Sequence, residues 1–134
     1  MTALTTDRKT KYREGIELEY KVAGSAKIYA GALVCLNASG YAVPGTDTAN
    51  FKFVGVAREQ ADNSLGANGD ITVRVRRKGV FRFAASAMAI TDIGAAVNVS
   101  DDQTVAKTTT NSIACGRIAE LISATEVGVD IDMR

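Results

Sequence analysis

Gly69-Asp-Ile-Thr-Val-Arg-Val-Arg-Arg-Lys-Gly-Val-Phe-Arg-Phe83 alternates apolar and basic residues with a period of two. In an extended strand, Ile71, Val73 and Val75 face one side, while Thr72, Arg74, Arg76 and Lys78 face the other. One face buries and the other presents positive charge. Phe81 and Phe83 carry the apolar phase past Lys78-Gly79, so Gly79 is read as a bulge in one long strand or as the corner of a hairpin. No residue type in this stretch has a catalytic partner in view. A charged sheet face of this kind binds or braces a partner.

The same period extends in both directions. Ile16, Leu18, Tyr20 and Val22 alternate with Glu17, Glu19 and Lys21, the pattern of a half-buried strand. Ile28 to Leu36 is a nearly continuous apolar run broken by Gly31, which reads as a buried strand entered through a turn. Asn37-Ala-Ser-Gly40 supplies turn chemistry, and Tyr41 to Val43 returns as its partner. A polar loop opens at Pro44-Gly45, and Phe51, Phe53 and Val56 begin another strand. Asp62 to Gly69 is the clearest loop. The one candidate helical turn lies around Thr91-Asp-Ile-Gly94. Val97 with Val99, and Thr104 to Lys107, flank Asp101-Asp102 as a hairpin, and Ile113–Ile122 and Val127–Ile131 close the chain. Many short strands with turn signals about every ten residues predict an all-β fold, a single compact barrel or jelly-roll-like sandwich with at most one short helical turn. No internal repeat is visible.

Residues 1–14 differ from the rest. They lack a core face and are locally basic, with Arg8, Lys9, Lys11 and Arg13 against Asp7 and Glu14. They are expected to form an extended N-terminal arm, with residues 15–134 as the β domain. Fully stretched, such an arm reaches ~45–50 Å, far enough to cross onto a neighbouring molecule. The 134 residues suffice for one domain with its own core. No apolar run approaches the ~18 residues of a membrane span, and the N-terminus lacks the apolar core of a signal peptide, so no membrane role is expected. Cys35 and Cys115 sit in apolar surroundings and read as reduced, buried thiols. The net charge of +1 argues against a dedicated polyanion binder.

Candidate chemistry is sparse. The absence of histidine removes the commonest general base and zinc partner. The two cysteines have no metal-ligand spacing, and no glycine-rich loop follows a strand and opens a helix. Asp101 and Asp102 read as a solvated turn. Glu17 with Glu19, and Asp130 with Asp132, share outward faces where carboxylates stay solvated. No catalytic, cofactor or metal site is predicted, and the chain is read as a non-enzyme.

What remains is surface charge. The stripe Arg74, Arg76, Lys78, with Arg82, is positive, and the stripe Glu126, Asp130, Asp132 is negative. On neighbouring strands of one subunit the two would pair across the sheet. On separate surfaces they would make the protein complementary to itself or to a larger assembly. A third use, phosphate contact by a small nucleic-acid-binding module built on residues 74–82, is disfavoured. The tyrosines and phenylalanines mostly follow core phases instead of interleaving with the basic residues as stacking platforms.

Lys27-Ile-Tyr-Ala-Gly-Ala-Leu-Val-Cys-Leu-Asn-Ala-Ser-Gly-Tyr-Ala-Val-Pro44, Phe53-Val-Gly-Val-Ala57, Asp62-Asn-Ser64 and Arg74-Val-Arg-Arg-Lys-Gly-Val-Phe81 together resemble the capsid cement or decoration proteins of tailed phages and prophages. The likeness runs in order over about residues 25–134 and rests on sheet phases and turns. It implies an all-β protein on the outer capsid surface of the virion, made in the host bacterial cytoplasm. Such a protein ties neighbouring major capsid protein subunits together and contacts further copies of itself as a dimer or trimer. The resemblance carries no catalytic positions and no cofactor. Partner-binding is expected of Arg8, Lys9, Lys11 and Arg13 in the arm, and of Arg74, Arg76, Lys78 and Arg82 on the sheet.

Overall fold

Alternation becomes strand wherever the pattern is strong. The computed structural model describes residues 2–11 and 15–131. Its strands are β1 (Glu17–Lys21), β2 (Lys27–Ile28), β3 (Leu33–Leu36), β4 (Ala42–Pro44), β5 (Lys52–Ala57) and β6 (Ala61–Asp62). The chain continues through β7 (Thr72–Arg76), β8 (Val80–Ala84), β9 (Ala96–Val99), β10 (Val105–Ala106), β11 (Ala114–Ser123) and β12 (Glu126–Asp130). A 3-10 turn at Ile90–Asp92 falls where the helical turn was expected. The fold is all-β. Residues 2–11 contain no strand and are exposed throughout.

Two five-stranded antiparallel sheets, ordered β1-β7-β5-β3-β4 and β8-β12-β11-β9-β10, pack with a small β2–β6 ribbon. They do not close into one barrel. Each sheet curls far enough for its two edges to meet at a single parallel bridge, Val22 to Ala42 in the first and Ala84 to Thr104 in the second.

The two sheets are the same unit built twice. Counted within each sheet along the chain, the strand order is first, fifth, fourth, second, third in both. Gly31 donates its N–H to Ala57 O (2.8 Å) and Ala57 returns one to Ala32 O (2.8 Å); Gly94 and Ile118 repeat this with Ala95 (2.8 and 2.9 Å). Gly55 sits at a bulge in β5 and Gly116 at the matching bulge in β11. The expectation of no internal repeat is therefore corrected. A sheet unit needs alternation and a few glycines more than particular side chains, so two units can share a fold with few identities. The Asn63–Asp70 loop, present only in the first unit, also breaks the spacing. The second unit turns through Ala124 and Thr125 alone.

Duplication also corrects the reading of Gly79. It is neither a bulge nor a hairpin corner, because β7 lies between β1 and β5 while β8 pairs with β12 in the other sheet. Arg77 N–H to Ile16 O (2.8 Å) is the last rung of one sheet, and Ile131 N–H to Gly79 O (3.1 Å) begins the next. Alternation continues across the crossing, but the apolar phase serves two cores. Val73 and Val75 join Val22, Ile28, Val34 and Val54 beneath the ribbon, whereas Phe83 joins the core between the sheets.

That inter-sheet core holds Leu33, Cys35, Phe53 and Val56 from the first sheet against Val97, Val99, Cys115, Ile118, Val127 and Val129 from the second. Strands β3 and β5 are buried on both faces, which is why their sequence reads as a continuous apolar run. The bulge at Gly55 resets the phase, so Phe53 and Val56, three residues apart, enter the same core.

Candidate binding surface

The outward face of β7 carries Arg74 and Arg76, as the alternation requires. Cross-strand neighbours supply carboxylates. Arg76 opposes Glu17 of β1 and pairs with it at 3.3 Å. Arg58, just beyond β5, reaches the same Glu17 at 3.2 Å, and Arg74 pairs with Glu59 at 3.4 Å. Two guanidiniums thus share one carboxylate. The acidic partners are not Glu126 and Asp130 of the negative stripe, whose third member, Asp132, lies outside the described residues. Glu126 and Asp130 lie on β12, the counterpart of β7 in the other sheet, so the two stripes occupy equivalent positions on separate sheets. Across-sheet pairing of the two stripes is overturned for Arg74 and Arg76.

Lys78 is exposed on the crossing between sheets, and Arg82 is exposed on the outward face of β8. The residue opposite Arg82 on β12 is Gly128, which offers no side chain. No carboxylate of the described residues lies within 4.0 Å of Arg82 or Lys78. Arg8, Lys9 and Lys11 are exposed on residues 2–11, whereas Arg13 lies outside the described residues. The basic residues are therefore not one continuous stripe. Arg76 and Arg82, from different sheets, come together with Arg58 around a shared depression, while Arg74 lies apart from it.

Sequence reasoning missed Arg58, Glu59 and the role of Glu17. Their only signal is that Arg58-Glu59 closes the apolar run Phe53–Ala57. It also missed Arg77, half-buried beside Gly15, whose Nε is buried without a hydrogen-bond partner. Tyr29 departs from the core phase expected of aromatics. It is 56% exposed and stacks under Lys27, with Nζ 5.1 Å from the ring centre.

Titratable groups act as braces. The Ser64 hydroxyl and backbone N–H, with Lys27, hold the Asp62 carboxyl below its usual range. The Lys107 ammonium at 2.9 Å and the Ala89 N–H do the same for Asp92. Both carboxylates fasten turns. Cys35 and Cys115 are free and buried in the inter-sheet core, and desolvation pushes both thiols up, Cys115 to about 12. Among the described residues no three His, Cys, Asp or Glu side chains group as a metal site, and no helix is long and apolar enough to cross a membrane.

The scaffold is a doubled sheet with exposed charge, and Glu17, Glu59, Asp62 and Asp92 among its carboxylates are engaged in ion pairs. The profile of the phage cement protein family matches residues 13–133, and the chain belongs to that family. Membership associates it with the phage capsid as a structural protein of the virion. No curated protein and no solved structure matches the chain.

Proposed function

We propose that this protein binds the outer surface of an icosahedral phage head and bridges neighbouring major capsid protein subunits, stabilising the shell without catalysis. The family match over nearly the whole β domain carries this reading. The exposed arginines and lysines supply charge for register and partner choice. Residues 1–14, basic at Arg8, Lys9, Lys11 and Arg13, act as an arm that orders across an adjacent capsid subunit, and of these residues 2–11 are exposed. Cement subunits also contact each other as dimers or trimers. Weak single contacts suffice, because many copies on a symmetric shell multiply them.

Co-sedimentation with undecorated, expanded heads tests this directly, with naked DNA at matched salt as the control. Saturation at a fixed ratio to capsid subunits, and heads that then survive heating better, is the expected result. Binding to DNA alone, with a log–log salt slope near ~−4.5 for about five phosphate contacts, would transfer the function to a nucleic-acid module on residues 74–82. Removing residues 2–14 is expected to weaken head binding while leaving the circular dichroism spectrum unchanged. Equal decoration by the truncated chain would remove the arm from the mechanism.

A further inference from the structure

Two adjoining depressions, of about 490 and about 520 Å³, share Gly31, Arg82 and Phe83 and so form one groove where the sheets meet. The groove follows the outer side of β8, whose ladder partner is β12 and which otherwise makes only the single bridge of Ala84 to Thr104 among the described residues. Ile131 N–H to Gly79 O and Ala85 N–H to Thr125 O bracket this ladder. In an antiparallel pair, rungs fall on alternate residues, so Gly79, Phe81, Phe83 and Ala85 face β12. Val80, Arg82 and Ala84 turn their N–H and C=O groups toward the groove. Ala84 N–H is taken by Gln103 O (3.0 Å); Val80 and Arg82 make no backbone bond outside β12 among the described residues.

Charge along the groove selects what would pair there. Arg58, Arg76 and Arg82 line it, and Glu17 is the one carboxylate serving the first two. Arg82, facing Gly128, has none among the described residues. The equivalent edge in the first unit, β1, instead carries Glu17, Glu19 and Lys21 on its outward-facing positions, so the basic edge is particular to β8. Gly31, with a φ of +85° and nothing within 4 Å of where a Cβ would be, leaves the floor open. Nucleic acid fits less well. Glu126, which lines one end, would repel a continuous phosphate backbone, whereas separate carboxylates on an extended peptide can fall clear of it.

We infer that the β8 edge accepts an extended, acidic segment of a partner protein as an added strand, with Val80 and Arg82 bonding its backbone and Arg58, Arg76 and Arg82 reading its carboxylates. That the partner is a capsid subunit rests on the cement reading; the chemistry of the groove does not.

The probe is a short peptide alternating glutamate and valine, titrated into the full-length, isotopically labelled protein, with a lysine–valine counterpart and a DNA oligonucleotide in parallel. The acidic peptide is expected to shift the Val80 and Arg82 amides and slow their hydrogen exchange, while the basic peptide leaves them unmoved. Arg82→Glu is expected to weaken binding roughly ten-fold, and Arg82→Gln, which keeps the side chain's bulk, by a few-fold. Equal response to both peptides, a response on β1 instead, or binding of the oligonucleotide alone would overturn the inference. Heads separate it from the function proposed above. If the unaltered chain and Arg82→Glu bind heads equally, the assignment of a capsid subunit as the groove's partner falls and the cement reading stands. If the acidic peptide docks but the unaltered chain ignores heads, the cement reading falls and the groove stands.

Discussion

Single residues hold this fold at points where no substitute fits. A Cβ added to Gly55, at a φ of +150°, would stand 2.3 Å from Arg76 O, and one added to Gly116, at +155°, 2.2 Å from Asp130 O. Gly55→Ala is expected to cost about 3 kcal/mol from backbone strain and displacement of β7. Differential scanning calorimetry should show a fall in Tm of roughly 10 °C for a loss of that size. Asn63, the one buried polar residue among the described residues, donates to Val22 O, Ala23 O and Ala67 O at 3.3, 3.0 and 2.9 Å. Asn63→Ala is expected to cost about 2 kcal/mol in urea unfolding, since it strips shared donors from buried carbonyls. Cys115 has a folded pKa near 12 against an ordinary 9.0, so the folded state holds the thiol proton more tightly than the unfolded chain does. Its contribution to stability is complete below pH 9 and is lost as pH rises from 9 toward 12. Cys115→Ala should flatten that alkaline fall; an unchanged slope would assign it to other groups.

At the level of elements, β1 and β8 occupy the same place in their sheets but differ in exposed charge. Both are edges, the places where sheets risk unwanted pairing, and side-chain charge guards each of them. The ladder geometry predicts an alternation visible by hydrogen exchange. Phe81 and Phe83 amides should exchange at least ~100-fold more slowly than those of Val80 and Arg82 in the free protein. Uniform protection along β8 would mean that its outer side is already covered. The strands themselves were legible in the sequence because burial on one face imposes a period of two. Their partners were not. Nothing in Arg77-Lys-Gly79 signals that the chain leaves one sheet for another, since the same apolar phase satisfies either core.

For the whole molecule, duplication without independence is the main consequence. The core between the sheets takes Leu33, Cys35, Phe53 and Val56 from the first unit, so the second unit cannot complete its interior alone. Residues 79–134 expressed by themselves are expected to stay unfolded, and the intact chain to unfold in one transition, with fluorescence and circular dichroism coincident. Two separated transitions would show that the units are energetically distinct. Charge is divided as well. From residue 79 onward the chain carries Arg82, Lys107, Arg117 and Arg134 against Asp92, Asp101, Asp102, Glu120, Glu126, Asp130 and Asp132, while the excess of Lys and Arg lies before it. A near-neutral total thus conceals a polar molecule, suited to contacts set by charge.

The sequence by itself determined the strands, the buried thiols, the absence of histidine and the resemblance to capsid cement proteins. Each is written in local pattern or in the residue types present. Only the tertiary structure decided that the sheet unit occurs twice, that Gly79 is a crossing, and that Arg58, Arg76 and Arg82 meet along an open edge. Those facts depend on which strands pair, and pairing rests on backbone hydrogen bonds that every residue but proline can make. Side-chain pattern says which face is buried; it does not say beside whom.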